Sequence, residues 1–424
     1  MAKTETATGG RDATTGVIPG RWALSVGDPQ TATAPGFRWT RLSDVARLES
    51  GHTPSRRKPE YWGGGIPWIG IKDATGNHGR TITSTLQSVT ESGIANSSAR
   101  ILPAGTVCLS RTASVGYVVT MGVEMATSQD FVNWVCGPNI SSRYLHYILM
   151  SERESVRRFA HGTTHQTVYY PEVKAFHVCI PERAEQDAIA RVLGALDDKI
   201  AINARIGDSV DFLVGSYYQR LVSSQVLRKM SLGDIADVNK RTVKPSDGNL
   251  RYVDISSVGV GSYEWPELIS WNEAPGRARR KAAVGDTIWS TVRPNRRSHA
   301  LVLDNDPSLV FSTGLAVLSP KSVGAALLYE ITRTGDFLGY LESVAEGSAY
   351  PAVRAERFKN APVLLPAAEE CEAFEKVALE LRQRAHQAAV ESRTLATLRD
   401  TLLPQLMSGK LRVRDAERIV EDAV

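Results

Sequence analysis

Past Pro181 the hydrophobic period of the chain changes. Ile189, Leu193, Leu196, Ile200, Val210, Val214, Tyr217 and Leu221 fall at three- and four-residue steps, with the polar Asn203 at one of the same positions. Phe374, Ala378, Leu381, Ala385, Ala388, Leu395 and Leu402 repeat the pattern after Pro366. This spacing predicts two amphipathic helices of roughly 40 residues, about 60 Å long if unbroken. Each has one apolar stripe and no partner in its own half, so the two are expected to pack antiparallel on one another, holding the halves at opposite ends. Asn203 on the seam would fix register or mark a kink near Gly207. Ahead of each helix the period is two. "VCLS" from Val107, "TIWS" from Thr287 and "AFHVCIP", with Phe176, Val178 and Ile180 on one face, predict short half-buried strands between Gly- and Pro-rich turns.

The two halves match in sequence. "LSDVARL" from Leu42 resembles "LGDIADV" from Leu232, "PAGTVCLS" resembles "AVGDTIWS", and "ATSQDFV" resembles "FSTGLAV", at offsets of 190, 180 and 185 residues. "GTTHQTVYYPEVKAFHVCIP" and "GSAYPAVRAERFKNAPVLLP" close the halves. Duplication accounts for this, and the expected fold class is α+β: two similar mixed α/β domains separated by two long antiparallel coiled-coil helices, a pseudo-twofold repeat. The expected boundaries are a flexible tail over 1–35, a first domain over 36–181, a central helix over 182–224, a second domain over 225–366, a second helix over 367–412 and a C-terminal tail over 413–424. The tail assignment at the N-terminus rests on a Thr-, Ala- and Gly-rich composition too poor in large apolar residues to offset the entropy of ordering.

Composition narrows the class. With 42% hydrophobic and 23% charged residues the 424-residue chain reads as globular, and its length suits two or three domains. No apolar run reaches membrane-span length and no signal-peptide core is present, so a cytoplasmic location is expected. Cys108, Cys136, Cys179 and Cys371 lack metal or redox spacing and read as reduced packing residues. The net charge of +4 says little, but from Arg277 to Arg297 seven basic residues, Arg279, Arg280, Arg293, Arg296 and Arg297 among them, face the single acid Asp286. That local cationic face suits a polyanion.

Reagents for catalysis are missing from the pattern. There is no phosphate-binding loop, no cofactor or target motif of an amino-methyltransferase, and no Pro-Asp dipeptide to complete a nuclease signature around Glu172-Val173-Lys174. The expectation is recognition without chemistry: no catalytic residue and no metal. "ESGHTPSRRKPEYWGGGIPWIG", from Glu49 to Gly70, fits that purpose. Its Arg56, Arg57 and Lys58 can neutralise phosphates, its glycines can let backbone approach a duplex closely, and Tyr61 and Trp62 can insert at a groove, whereas Trp68 between apolar neighbours reads as core.

A globular module followed by a long helix, and then both again, resembles the specificity subunit of type I restriction-modification enzymes. The resemblance is carried by "SGHTPSR…YWGGGIPWI", "LPAGTVCLS", "IPERAEQDAIARVLGALDDKI" and "TLRDTLLPQLMSGKL" and spans about residues 36 to 412. It implies that each module is a target recognition domain reading one half of a split double-stranded DNA sequence. It further implies that the helices space the modules and dock two methylation subunits, with Ile189, Leu193, Leu196, Ile200, Phe374, Leu381, Leu395 and Leu402 as partner-binding positions. A restriction and translocation subunit would join them, and S-adenosylmethionine, ATP and magnesium would belong to the partner chains, with no cofactor in this one. Base readout needs forked donors and amides. The candidates are Arg111, Gln129, Thr163, Thr164, His165 and Gln166 in the first half, and Arg293, Asn295, Arg296, Arg297, Ser348, Tyr350 and Arg354 in the second. The second half departs from the pattern in having "NKRTVKPSDGNLRYVDI" where the first has its aromatic opening. Two competing classes are a fused or stand-alone methyltransferase or nuclease and a protein-only coiled-coil scaffold.

Overall fold

The strand run shared by the two halves of the sequence folds the same way twice. In this computed structural model, which describes residues 16–162, 166–224, 226–347 and 350–423, the chain separates into two units: one combines the residues up to Ile200 with those from Thr394 onward, the other runs from Ala201 to Arg393.

In the first unit a five-stranded sheet runs in the order Ala46–Ser50, Phe131–Cys136, Val107–Ser110, Val118–Met121, Arg80–Ile82. Its Val107, Leu109, Val118, Val132 and Trp134 are buried together with Tyr144, Leu145 and Ile148 of the helix Ser142–Ser151. A three-stranded sheet places Trp62–Ile69 parallel to Ala126–Thr127 and antiparallel to Gln87–Val89. The three consecutive glycines form a bulge here, because Trp62 and Ile66 both pair with Val89. Gly63 has φ +81°, and a Cβ on Gly64 would lie 2.5 Å from the Val89 carbonyl oxygen. The backbone conformation at Gly63 and the neighbouring strand at Gly64 each require glycine, whereas a Cβ on Gly65 would meet open space.

The second unit has the counterpart sheet Ala236–Val238, Leu315–Pro320, Thr287–Ser290, His299–Leu301, with Trp289, Ala316 and Leu318 buried against the helix Ala325–Thr332. A further sheet holds Asn249–Val253 parallel to Leu309–Ser312. Val253 faces Phe311 as Ile69 faces Thr127. "NLRYVDI" therefore occupies the place of "GGGIPWI", although the two share almost no residues. Each unit also has a closing strand, Phe176–Ile180 paired with Arg38–Arg41 and Pro362–Leu365 paired with Arg228–Ser231.

Both chain-end expectations are corrected for 16–35 and 413–423, while residues 1–15 of the expected tail lie outside the described residues. Within 16–35, Ile18–Pro19 and Leu24–Val26 are strands, the latter antiparallel to Phe176–Ile180, and Ala23, Leu24 and Val26 are buried. Four backbone N–H groups, those of Arg21 to Leu24, donate to the buried Glu152 carboxylate at 2.5–3.2 Å. This short apolar run, Trp22 to Val26, orders a segment that its average composition would leave loose. At the other end Val413–Ala423 is an amphipathic helix, with Ala416 buried and Val413 and Val420 packed on the first unit's core.

The two long helices are Arg183–Ser224 and Ala368–Met407. In the first unit Ile189, Leu193 and Leu196 share a core with Leu395 and Leu402, and Ile200 packs against it. In the second unit Val210, Val214 and Leu221 share a core with Phe374 and Ala378, with Leu381 at its margin. The pairing is antiparallel: Asp197 accepts from Arg399 at 2.7 Å, Asn203 donates to Glu391 at 2.8 Å and Asp211 accepts from Arg382 at 2.7 Å. Asn203 is buried, and the helix runs through it without a break. The partner-binding assignment is thereby corrected. Ile189, Leu193, Leu196, Phe374, Leu395 and Leu402 are buried within their units and Ile200 and Leu381 pack at the core's edge, because the stripe of each helix gives one half to the core of one unit and the other half to the core of the other. The large apolar side chains that the helices leave exposed are instead Ile202, Phe212, Leu213, Val377 and Val390. Among the described residues no helix is long and apolar enough to cross a membrane.

Candidate nucleic-acid interface

The opening loop of the first unit is built around one arginine. Trp62 and Trp68 meet edge to face, ring centroids 5.1 Å apart. Their indole N–H groups are held by the carbonyls of Ser55 and His52 at 3.3 and 3.1 Å. The Arg56 guanidinium lies 3.8 Å above the Trp62 ring and 5.1 Å from that of Trp68, and its Nη2 donates to Gln87 Oε1 at 3.0 Å. A stacked and amide-held guanidinium is a fixed fork rather than a mobile charge. Trp68 is core, as its neighbours suggest.

Tyr61 is also core. Only 6% exposed, it cannot serve as a groove wedge, and its hydroxyl accepts from Lys58 Nζ at 3.1 Å. That bond is the first cause raising the Lys58 pKa. Trp62 is half-buried with Arg56 over its face, so the surface of this loop is guanidinium, not indole. Arg57 is exposed and has no side-chain partner among the described residues.

Each unit presents a second feature, a hairpin turn tied to a returning loop. In the first the turn follows Val107–Ser110, and the Val168 N–H donates to the Arg111 carbonyl at 2.9 Å. His161 and Thr167 pair across the loop. The Arg111 guanidinium sits 4.8 Å from the Tyr170 ring and is half-buried. Gln129, exposed, accepts from the Thr53 hydroxyl, and Gln166 is exposed. In the second unit the Val353 N–H donates to the Thr291 carbonyl at 2.8 Å, and Glu346 and Ala352 pair as His161 and Thr167 do.

The turn of the second unit is strongly cationic. Arg293 and Arg297 both adopt left-handed backbone, φ 51° and 56°, on either side of the turn Pro294–Arg296. A side chain other than glycine in that region stores strain. The Arg293 N–H is fixed by the Pro351 carbonyl at 2.7 Å, and its guanidinium lies 4.6 Å from the ring of Tyr350, which is 69% exposed. Asn295, Arg296 and Arg297 are exposed, and the two arginine side chains have no hydrogen-bond or ion-pair partner among the described residues. Arg354 is tied to Glu346 at 3.0 Å. Arg279 and Arg280 are half-buried: Arg279 donates to the Ala278 carbonyl at 2.7 Å, and burial lowers the Arg280 pKa. These two form the base of the cationic face, and Arg277, Arg296 and Arg297 its exposed part. Thr163, Thr164, His165 and Ser348 lie outside the described residues.

Sequence reading missed Gln87 and Thr53, polar residues whose roles depend on contacts 31 and 76 residues away. It also missed Leu86, 71% exposed beside Gln87. No local signal marks any of the three.

A duplicated α/β module, with an arginine-bearing turn on each copy and a long helix after each, defines a protein with two recognition modules. Residues 36–211 match the family model described as the type I restriction modification DNA specificity domain. The chain is 23% identical over 404 residues to the MjaIX specificity subunit of Methanocaldococcus jannaschii, covering 88% of this chain and 93% of that one. It is 27% identical over 167 residues to the EcoR124I/EcoR124II specificity subunit of Escherichia coli, covering 38% of this chain and 40% of that one. The crystal structure of the type I restriction-modification S subunit from M. genitalium superposes with a TM-score of 0.58 at 18% identity, covering 89% and 98% of the two chains, and shows the shared fold. Residues 36–211 are thus similar to the type I specificity domain, and over most of its length the chain is similar to type I restriction-modification specificity subunits.

Proposed function

We propose that this chain is the DNA sequence-recognition subunit of a type I restriction-modification complex in the cytoplasm, without catalytic activity of its own. Each unit reads one half of a bipartite double-stranded target. The long helices set the spacer between the half-sites and dock methylation subunits, through exposed side chains such as Phe212 rather than through the buried stripe. Restriction and translocation subunits complete the assembly, and S-adenosylmethionine, ATP and magnesium are held by those partners.

The observation that carries this reading is the repeated hairpin turn and returning loop, present in both units at the same place in the fold. It bears the stacked Arg293 and, in the second unit, the exposed Arg296 and Arg297, whose side chains have no partner among the described residues. Loops placed by a rigid sheet are where recognition residues are positioned, and arginine is the side chain best matched to phosphate and guanine together. The test is methylome sequencing of a host that carries this chain with its methylation subunit. A bipartite methylated motif that disappears when this chain is deleted is the expected result. Methyl transfer by the purified chain alone, or no salt-sensitive affinity of the assembled complex for duplex DNA, overturns the reading.

A further inference from the structure

The repeat is unequal at one place. In the first unit the closing strand Phe176–Ile180 is paired on both sides, by Arg38–Arg41 and by Leu24–Val26. In the second unit the closing strand Pro362–Leu365 is paired by Arg228–Ser231 alone, among the described residues. The uncovered side is the one that the N-terminal arm, Arg21 to Val26, covers in the first unit.

Beside that edge lies a cavity of about 270 Å³. Its walls correspond through the repeat to the bed of the arm. In the first unit Ala23, Leu24 and Val26 are buried in one cluster with Phe37, Val178, Leu403 and Met407. In the second unit Leu227, Val363, Tyr218 and Val222 hold the matching positions and line the cavity. The acceptor of the arm's amides, Glu152, is the N-cap of the helix Arg153–Phe159. Thr334 is the N-cap of the matching helix Gly335–Ser343, and it lines the same cavity with Asp336. The Asp336 side chain is exposed and makes no hydrogen bond or ion pair among the described residues. In the first unit the arm is anchored to the closing segment through the Cys179 N–H, which donates to the Ala23 carbonyl at 2.9 Å, and through the Gly27 N–H, which donates to the Ala175 carbonyl at 2.8 Å. Leu364 stands where Cys179 does and is 42% exposed.

The geometry points to the edge of Pro362–Leu365 as a docking site for an extended, alternately apolar segment of the methylation partner, which adds a strand antiparallel to it. An exposed strand edge next to apolar pockets is the setting for strand addition, in which backbone hydrogen bonds supply affinity and the pockets take alternate side chains. The bed in the first unit shows what fits: three small or medium apolar side chains in extended backbone, with preceding amides turned toward an acid at a helix N-terminus. The chain's own residues do not supply a second such segment. Residues 1–15 contain no large apolar residue after Met1, and the arm of a second copy is already buried in that copy's first unit.

This inference rests on the assembly reading above, and the experiment separates the two. Backbone hydrogen exchange at Leu364 is measured in the full chain, alone and in complex with its methylation subunit. The expected result is exchange slowed at least tenfold in the complex, with Leu364→Pro and Val222→Trp, which respectively remove the edge N–H and fill the cavity, each weakening assembly at least tenfold. Failure of the methylation subunit to bind at all sinks the assembly reading. A complex that forms with Leu364 exchange unchanged, and with assembly unaffected in Val222→Trp, overturns the docking site alone. Protection that rises with the concentration of the chain by itself identifies a second copy as the occupant and overturns the partner assignment.

Discussion

Arg56 lies 3.8 Å above the ring of Trp62, with one edge of its guanidinium tied to Gln87 and the other open to solvent. Arg57, its neighbour, is exposed with no side-chain partner among the described residues. Adjacent arginines in such different states should fail differently. Arg56→Ala is expected to relax the methylated motif at a single position, a loss of about 1–3 kcal/mol of discrimination. Arg57→Ala should weaken binding evenly across sequences. Methylome sequencing of both variants checks this, and an unaltered motif in Arg56→Ala removes Arg56 from base readout.

Arg296 and Arg297 should act on DNA affinity through counterion release. Replacing both with Ala is expected to reduce the slope of log K against log salt by about 2, close to one unit for each phosphate that is no longer neutralised. Titration of the assembled complex from low to moderate salt gives the slope directly. No change in slope would place these side chains away from the phosphates.

Arg382 is almost wholly buried and bonds both Asp211 and the buried Glu330. Arg382→Ala leaves Glu330 with one cation, Arg333 at 3.1 Å, in place of two, and the expected cost is about 1–3 kcal/mol. Arg382→Ala combined with Arg333→Ala removes both, and the expected cost rises to about 3–5 kcal/mol because the buried carboxylate is then uncompensated. Urea denaturation of the single and double variants measures both.

His299 is buried, stacked on Trp289 with ring centroids 4.9 Å apart, and its Nδ1–H donates to the Arg297 carbonyl at 2.6 Å. Burial lowers its pKa to about 4 from the ordinary 6.5. The unfolded chain therefore binds this proton first, so the histidine's contribution is complete above pH 6.5 and is lost as pH falls toward 4. The expected slope is up to about 1.4 kcal/mol of stability per pH unit in that window. Stability measured at about pH 7 and about pH 5.5, on either side of the unfolded-state pKa, should differ less in His299→Gln than in the parent chain.

Elements with a long periodic signal are legible in the sequence. The stripes of the two long helices and the closing strand Pro362–Leu365 fall where the pattern puts them, since burial on one face imposes the period, whereas "VCLS" and "TIWS" are strands as expected but buried on both faces rather than half-buried. Short elements whose partners are distant along the chain are not legible. Leu24–Val26 is three residues long and finds its sheet only at Phe176–Ile180. The equivalence of "NLRYVDI" and "GGGIPWI" is one of backbone pairing, which leaves no trace in residue identity. In the opening loop the arginines and tryptophans stand out in the sequence, but not that Arg56 stacks while Tyr61 is buried, because Gln87 and the bulge at Gly63 decide it from another strand.

The first unit is closed by residues from the far end of the chain: Leu395, Leu402, Leu406, Met407 and Ala416 all belong to its core. On the ribosome, where chains emerge N-terminus first, the second unit has its full complement of residues once Arg393 is made. The first unit, begun earlier, must wait for the last helix. The module encoded first is therefore the last that can finish folding, and a message truncated after Arg393 yields a complete second unit joined to a first unit without its floor.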